Sequence, residues 1–209
     1  MAKRIVAQVE NKELVEKRHD QLFEAVVDLF SKYGYVKTSM RDISKASGIN
    51  LSYIYRYVAS KNDILYLFYE RLFKLYSGAY KSIELDQQSD PVEQLKNLIS
   101  SVLHIAHDKQ KEILTMYTES RHLDEDSLRS VLEKESSMID ALRSLIERGV
   151  KQGRFTTRDP FMAANFIQYL LVIEPMRGWS FRKERSLESF IQSTTEFILN
   201  ALGTRDGQG

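Results

Sequence analysis

The sequence predicts an all-α protein, and three observations favour that fold class. The chain of 209 residues has only three prolines and nine glycines, so long stretches can be helical without interruption. Apolar residues recur at helical spacing in most segments between turn residues. An apolar content of 43% is sufficient for a core. Cysteine is absent, so we expect neither disulfides nor a thiolate zinc site.

Charge and hydropathy indicate where the protein acts. No segment has the apolar stretch of a signal peptide or of a membrane-spanning helix, so we expect a cytoplasmic protein. The net charge of +1 is unevenly distributed. Residues 1–65 carry eleven Lys and Arg against eight Asp and Glu, whereas the remainder carries nineteen against twenty-one. A basic first part favours an anionic partner such as DNA.

The first helix is predicted from an apolar stripe that begins at Leu22 and continues through Val26 and Phe30. Gly34 is expected to end it. Residues 1–18 lack a sustained stripe and are predicted to be an N-terminal extension. Their lysines and arginines could form an arm that reaches a minor groove, or the segment could be a solvated helical or disordered leader.

Two short helices follow. Ser39 is an N-cap residue type before a helix over residues 40–47, and Gly48 is a typical stop. Asn50 is a second N-cap type, and it precedes a helix that runs to Val58. Two short helices on either side of a glycine turn predict a helix-turn-helix.

The remaining helices are read from the same periodicity. A long helix from Asn62 is ended by the polar run before Pro91, and Pro91 opens the next helix. A further apolar face lies around residues 113–117. The last three predicted helices cover residues 128–150, 161–173 and 187–202, with a break of the second of these at Glu174-Pro175.

The second short helix has two faces of different chemistry. Ile54 and Val58 are predicted to pack inward on Ile43, because a helix fits the major groove only if its outward face is polar. Arginine can bind a guanine edge or a phosphate, and tyrosine hydroxyls suit phosphates. The pool of DNA-facing residues is Asn50, Leu51, Ser52, Tyr53, Tyr55, Arg56 and Tyr57.

The run GYVKTSMRDISKASGINLSYIYRYVASKNDIL, from Gly34 to Leu65, resembles the DNA-binding domain of the TetR (TetR/AcrR) family of transcriptional regulators. The resemblance implies that Ser39 and Arg41 contact the DNA backbone and a base. It implies further that Tyr55, Tyr57 and Lys61 contact phosphates. Leu51, Ser52 and Val58 depart from the common family pattern, so the operator sequence stays open.

The family resemblance extends to the layout of the chain. It implies a DNA-binding domain over residues 1–65 and a ligand-binding and dimerisation domain over 66–203. The polar, glycine-containing end of the chain predicts a disordered tail over 204–209. It also implies a homodimer in which the last two helices of each copy form a four-helix bundle, although the apolar helix could instead be the core of a monomer. The expected interface residues are Phe161, Phe166, Ile167, Leu170, Phe190, Ile191, Phe197 and Ile198.

A pocket for a small-molecule effector is expected among the helices between Pro91 and Trp179, where polar and aromatic residues interrupt apolar patterns. The second part of the chain distantly resembles TetR-type regulators of fatty acid metabolism, which implies a long-chain acyl-CoA or a similar apolar effector. A multidrug- or xenobiotic-sensing repressor of the same fold is the alternative. The candidate ligand residues are His104, Tyr117, Glu119, Arg121, Tyr169, Arg177 and Trp179.

No signature of catalysis was found in the sequence. It contains no glycine-rich phosphate loop and no local Ser, His and Asp arrangement. His104 and His107 have a spacing that can serve a metal, but no further ligand set accompanies them. We therefore expect a DNA-binding regulator without catalytic residues, metal or cofactor, most simply a repressor, with an activator or a non-enzymatic helical interaction protein as alternatives.

Overall fold

The computed structural model describes Lys3, residues 5–181 and residues 185–204. Within them the chain is helical and contains no strand, which confirms the predicted fold class. Residues 120–122 form a single 3₁₀ turn. The helices are α1 (Lys12–Lys37), α2 (Met40–Ser47), α3 (Leu51–Ile54), α4 (Lys61–Leu85), α5 (Pro91–Asp108), α6 (Gln110–Glu119), α7 (Glu125–Lys151), α8 (Pro160–Leu170), α9 (Ile173–Phe181) and α10 (Leu187–Ala201).

The chain divides into two compact units. The first comprises Met1–Lys74 and Lys111–Lys134, and the second Leu75–Gln110 and Glu135–Gly209. The functional division at residue 65 stays a prediction. Of the predicted disordered tail, only Thr204 lies within the described residues.

The first unit begins with a longer helix than the apolar stripe predicts. The side chain of Asn11 accepts a hydrogen bond of 3.0 Å from the N–H of Leu14, and α1 starts at Lys12, inside the predicted extension. Its inward face, which includes Leu22 and Val26, is fully buried as predicted. The helical alternative for the N-terminal extension therefore applies from residue 12 onward, where a solvent-facing helix needs no apolar stripe.

The end of α1 is set by Gly34. This residue has φ 77° and ψ 162°, so the helical conformation is interrupted at the predicted glycine. That region of backbone space is accessible almost only to glycine. The chain then makes one further turn to Lys37 and leaves the helix at Thr38.

The helix-turn-helix forms at the predicted place, but its second helix is shorter than predicted. Helix α3 ends at Ile54, and residues 55–57 form a turn instead of continuing the helix to Val58. Ser39 caps α2, Gly48 takes the left-handed conformation after it, and Asn50 caps α3. Ile54 and Val58 are fully buried and belong to the same core cluster as Ile43. The caps and the glycine therefore fix the turn, and the buried residues fix which face of α3 points outward.

The second unit is organised around α5, which packs against α9 and α10. The side chain of Asp90 accepts a hydrogen bond of 2.7 Å from the N–H of Val92, so the predicted start at Pro91 is confirmed. A Cβ atom at Gly149 would lie 2.2 Å from the ring of Phe155, so glycine on α7 lets this ring pack against the helix. No helix in the described part of the chain is long and apolar enough to cross a bilayer.

The apolar segment over residues 161–173 is divided earlier than predicted. Helix α8 ends at Leu170, and α9 begins at Ile173 with Pro175 in its first turn. The predicted break at Glu174-Pro175 is therefore wrong. A proline ring clashes with the carbonyl four residues before it, here that of Leu171, so the interruption lies upstream of Pro175, while the proline fits the start of the next helix.

Candidate nucleic-acid interface and ligand-binding positions

The start of α2 is held by a reciprocal pair of hydrogen bonds. The N–H of Asp42 donates to Ser39 Oγ over 3.2 Å, and Asp42 Oδ2 accepts from the N–H of Ser39 over 2.8 Å. Hydrogen bonds from the hydroxyl and the N–H of Ser39 hold the pKa of Asp42 below its usual value. The cap leaves Arg41 exposed in the first turn of α2, beside the N–H groups that a helix start offers to an anion.

The short helix α3 presents a polar and aromatic surface. Asn50 Oδ1 accepts from the N–H of Ser52 over 3.0 Å and from its hydroxyl over 2.8 Å. Tyr53 and Tyr55 have 53% and 43% of their surface exposed. The guanidinium of Arg56 lies 5.6 Å from the ring centroid of Tyr53. With Leu51 half-buried at the first position, these residues form the outward face, which we call the recognition face.

Tyr57 does not belong to this face, and the prediction that it contacts DNA is corrected. Only 4% of its surface is exposed, and its carbonyl accepts a hydrogen bond of 3.0 Å from the ring of His19. Residues three and four apart share one side of a helix. Tyr57 follows Ile54 by three positions and precedes Val58, so the same spacing that placed those two residues in the core would have placed Tyr57 there too.

Lys61 is directed at the end of α1. Its Nζ donates to the carbonyl oxygens of Tyr35 and Thr38, each over 2.9 Å, and lies 4.2 Å from the ring centroid of Tyr35. Partial burial lowers the pKa of Lys61. An ammonium has three donors, so these two bonds leave one for the predicted phosphate contact. The sequence analysis predicted a phosphate contact for this positive charge but not its hydrogen bonds to the end of α1.

Two exposed lysines extend the basic surface beyond the predicted residues. Lys37 and Lys45 line a depression of about 500 Å³ between the end of α1 and α2, together with Tyr33 and Asp42. The sequence analysis missed them because lysines on helix surfaces are common and carry no specific signal. Lys45 follows Arg41 by four positions on α2, so these two positive charges share one side of that helix.

The candidate ligand residues are divided between the two units. Tyr117, Glu119 and Arg121 belong to the first, and the other four belong to the second. Glu119 Oε2 accepts from the N–H of Tyr35 over 3.3 Å, so this carboxylate supports the end of α1. Tyr117 is half-buried, and Arg121 is exposed.

The four candidates of the second unit lie at its surface. His104 hydrogen-bonds the carbonyl of Ser100 through Nδ1 over 2.7 Å. The guanidinium of Arg177 lies 5.5 Å from the ring of Trp179, which is 73% exposed. Tyr169 is exposed on α8. The assignment of all seven residues to an effector pocket stays a prediction.

A buried polar cluster in the second unit joins His107 to Glu174, two residues whose contact the sequence analysis did not predict. Glu174 has 4% of its surface exposed. Its Oε1 lies 3.0 Å from His107 Nδ1 and accepts a hydrogen bond of 3.2 Å from Gln110. His107 thus turns to Glu174 while His104 contacts its own helix. No group of three or more potential metal ligands occurs among the residues that the structure describes.

The expected interface residues fall into two groups. Ile167, Phe190 and Ile198 are buried within the unit, and Leu170 and Ile191 are half-buried. The remainder point outward: Phe161 is 51% exposed, and Phe166 and Phe197 are each 62% exposed.

Two of these outward rings, Phe166 and Phe197, belong to a predominantly apolar surface. Met162, Phe166 and Tyr169 of α8 and Phe197 of α10 line an open groove of about 800 Å³. Helix α8 is therefore buried on one side within its own unit and leaves large apolar side chains exposed on the other. We call this surface the α8–α10 face.

Comparison with known proteins identifies both parts of the chain. Residues 22–66 match the family model described as bacterial regulatory proteins, tetR family. Residues 88–172 match the model described as the C-terminal domain of tetracyclin repressor-like proteins. The HTH-type transcriptional regulator HbdR of Aromatoleum sp. (strain CIB) is 23% identical over 215 residues, which cover 99% of this chain and 90% of that protein.

Solved structures share the fold. FadR of Bacillus subtilis, determined in complex with stearoyl-CoA, has a TM-score of 0.72 at 19% identity and covers 87% of this chain and 97% of its own. AibR, determined in complex with isovaleryl coenzyme A and operator DNA, has a TM-score of 0.72 at 17% identity, with coverages of 88% and 97%.

Proposed function

The chain belongs to the TetR family of bacterial regulatory proteins, and from this premise we propose that it is a cytoplasmic repressor which binds a palindromic operator as a homodimer. A small, largely apolar effector releases it from DNA. The recognition face is the observation that carries the proposal. There Tyr53, Tyr55 and Arg56 are exposed, whereas Ile54 on the opposite side is buried.

The chemistry of that face suits duplex DNA. Arg56 offers a planar fork of donors to a guanine edge. Tyr53 and Tyr55 offer hydroxyls to phosphate oxygens. Arg41, at the start of α2, adds a positive charge beside the helix N–H groups. In a helix-turn-helix, contacts from the recognition helix to base edges give sequence specificity, and contacts to phosphates around it position the protein on the duplex.

The α8–α10 face supports a homodimer. Four large apolar side chains are exposed together there, and a contiguous apolar patch of this kind marks an interaction surface. We assign it to a second copy of the chain, because a palindromic operator demands two recognition helices related by a twofold axis. The half-sites would then lie about 34 Å apart, one turn of the duplex.

An acyl-CoA thioester is the effector class that we propose. The complexes of FadR with stearoyl-CoA and of AibR with isovaleryl coenzyme A support this choice, since both proteins share the fold of this chain. The protein can adopt one conformation that fits the operator and another that does not. Release requires only that the effector have a higher affinity for the second conformation than for the first. Stearoyl-CoA and isovaleryl-CoA, which differ in chain length, are therefore the probes to compare.

The test begins with selection of duplexes from a random library by the purified protein. The selected sequence is then used in fluorescence anisotropy at two salt concentrations, without and with each thioester. We expect a palindromic consensus, affinity that falls steeply as salt rises, and release by one of the thioesters. Release by neither would contradict the effector class and leave the repressor. Failure to enrich any sequence would contradict DNA regulation itself.

A further inference from the structure

The N-terminal residues are not a free arm in the structure. Lys3 and residues 5–8, which we call the N-terminal strap, lie along the first unit. Ile5 packs against the core cluster, and the two ends of the strap make specific bonds to distant parts of the chain. The strap thereby connects the beginning of α7 with the end of the segment that carries the recognition face.

Lys3 anchors the first end. Its Nζ lies 3.2 Å from Asp63 Oδ1 and 2.8 Å from Asp124 Oδ2, and it donates to Ser127 Oγ over 2.7 Å. Its main chain is held as well. The N–H of Lys3 donates to Ser130 Oγ over 3.2 Å, and its carbonyl accepts from the hydroxyl of Tyr66 over 3.2 Å.

Asp63 extends this anchor to the residues after the recognition face. Its other oxygen, Oδ2, accepts from the N–H groups of Ala59 and Ser60 over 2.9 and 3.1 Å. One carboxylate thus joins Lys3 to the start of α4. Charge-assisted bonds of this kind are stronger than neutral ones and fix geometry more tightly.

The second end of the strap holds Arg56. The N–H of Gln8 donates to the carbonyl oxygen of Arg56 over 2.8 Å. The carbonyls at the end of a helix have no partner within it, and α3 has only four residues, too few to be stable alone. Arg56 and Tyr57 lie in the turn directly after α3, so the bonds from Gln8 to the carbonyl of Arg56 and from His19 to the carbonyl of Tyr57 hold that turn from outside.

We propose that the N-terminal strap positions Arg56, so that its guanidinium meets a base edge of the operator in a fixed orientation. The inference rests on the proposed function, since it assumes that the recognition face reads DNA. A bidentate contact to a base needs both donors aligned, whereas a phosphate contact tolerates displacement. The strap should therefore matter for sequence discrimination and not for general attraction to DNA.

The decisive variant is Gln8→Pro, because proline lacks the N–H that Arg56 accepts. Gln8→Ala is the matched control, since it retains the N–H and removes only an exposed side chain. The measurement is the affinity of each full-length variant for the selected operator and for a scrambled duplex, with the salt dependence of both. Thermal unfolding of each variant checks that the fold is retained.

We expect Gln8→Pro to lower operator affinity about fivefold, the value of one hydrogen bond, with unchanged affinity for the scrambled duplex and an unchanged salt slope. Gln8→Ala should bind as the wild type does. Equal binding by both variants, or an equal loss on both duplexes, overturns the proposal. A wild-type protein that selects no operator overturns the proposed function together with this inference.

Lys3 gives a second, independent test in case Gln8→Pro does not fold. Lys3→Met removes the charge that holds the first end, and Lys3→Arg restores it. We expect Lys3→Met to reduce the ratio of operator to scrambled affinity and Lys3→Arg to recover it. A Lys3→Met protein that unfolds at lower temperature but keeps the wild-type ratio would mean that the strap only stabilises the fold, and would overturn the proposal.

Discussion

Lys61 Nζ and the ring of Tyr35 lie 4.2 Å apart, and the same ammonium donates to the Tyr35 carbonyl. The first residue of α4 thus closes the last turn of α1, directly after its interruption at Gly34. The ring of His122 also stacks on the same tyrosine, at a centroid distance of 5.5 Å. Tyr35 is therefore enclosed by groups from two other parts of the first unit.

Lys61→Met is expected to destabilise the protein by about 1–3 kcal/mol, because two charge-assisted hydrogen bonds are lost. The free energy of unfolding in urea measures this. Lys17→Met, at an exposed position of α1, is the control and should change stability little. If Lys61→Met reduced only the salt dependence of DNA binding and left stability unchanged, Lys61 would contact a DNA phosphate without stabilising the fold, which would contradict this account.

Gly34→Ala is expected to cost about 1–3 kcal/mol, since its backbone conformation is accessible almost only to glycine. An added Cβ would lie 3.5 Å from Glu119 Oε1, an ordinary contact, so the cost is in the backbone. Gly78→Ala is the opposite case, because this glycine is in α4 with no atom within 4 Å of an added Cβ. That variant should gain about 0.4–1 kcal/mol. Equal effects in thermal unfolding would contradict this account of Gly34.

Phe166→Glu is expected to convert the proposed homodimer into a monomer with an unchanged fold, because the ring is 62% exposed within its own unit and a charge would be buried at the interface. Sedimentation equilibrium measures the mass, and circular dichroism checks the helices. Leu132→Glu also replaces an exposed apolar side chain, on the part of α7 that belongs to the first unit, and should leave the dimer intact. A dimeric Phe166→Glu protein would place the interface elsewhere.

The ion pairs between α1 and α4 predict a pH dependence of stability. Hydrogen bonds from Arg71 and Lys74 lower the pKa of Glu16 to about 2. A carboxyl group with a depressed pKa stabilises the folded state above its ordinary pKa, which is 4.5 for glutamate. This contribution is lost as pH falls towards 2. The exposed Glu16 limits it to about 1 kcal/mol or less.

Glu16→Gln should therefore lower the free energy of unfolding at pH 7. As pH falls from 4.5 to about 2, the free energies of unfolding of the variant and the wild type should become equal. Glu24→Gln, an exposed position on the same helix, is the control. A difference between wild type and Glu16→Gln that stayed constant over this range would show that the pairs do not act through the charge of Glu16.

The helix-turn-helix was accessible to sequence reasoning because its signals are local. Ser39 and Asn50 cap helices that start one residue later, and Gly48 supplies a left-handed turn. The buried pair Ile54 and Val58 follows from a spacing of four. The prediction failed at Tyr57. The helical spacing of three and four residues was used to place Ile54 and Val58 in the core but was not extended to Tyr57.

The remaining features depend on contacts between residues far apart in sequence. Lys3 is 121 positions from Asp124, and no pattern around either residue indicates that they meet. The same holds for Glu174 and His107, which are 67 positions apart. Effector residues are hardest to predict, because a cavity is formed by the packing of several helices and leaves no periodic trace in any one of them.

The most direct test of the central claim is the affinity of the wild-type protein and of Arg56→Ala for the selected operator and for a scrambled duplex. Tyr57→Phe is the control, since this side chain is buried. We expect the wild type and Tyr57→Phe to prefer the operator, and Arg56→Ala to lose about 1–3 kcal/mol of that preference while remaining dimeric. A wild type without preference, or an Arg56→Ala protein that discriminates as well as the wild type, would contradict the recognition face.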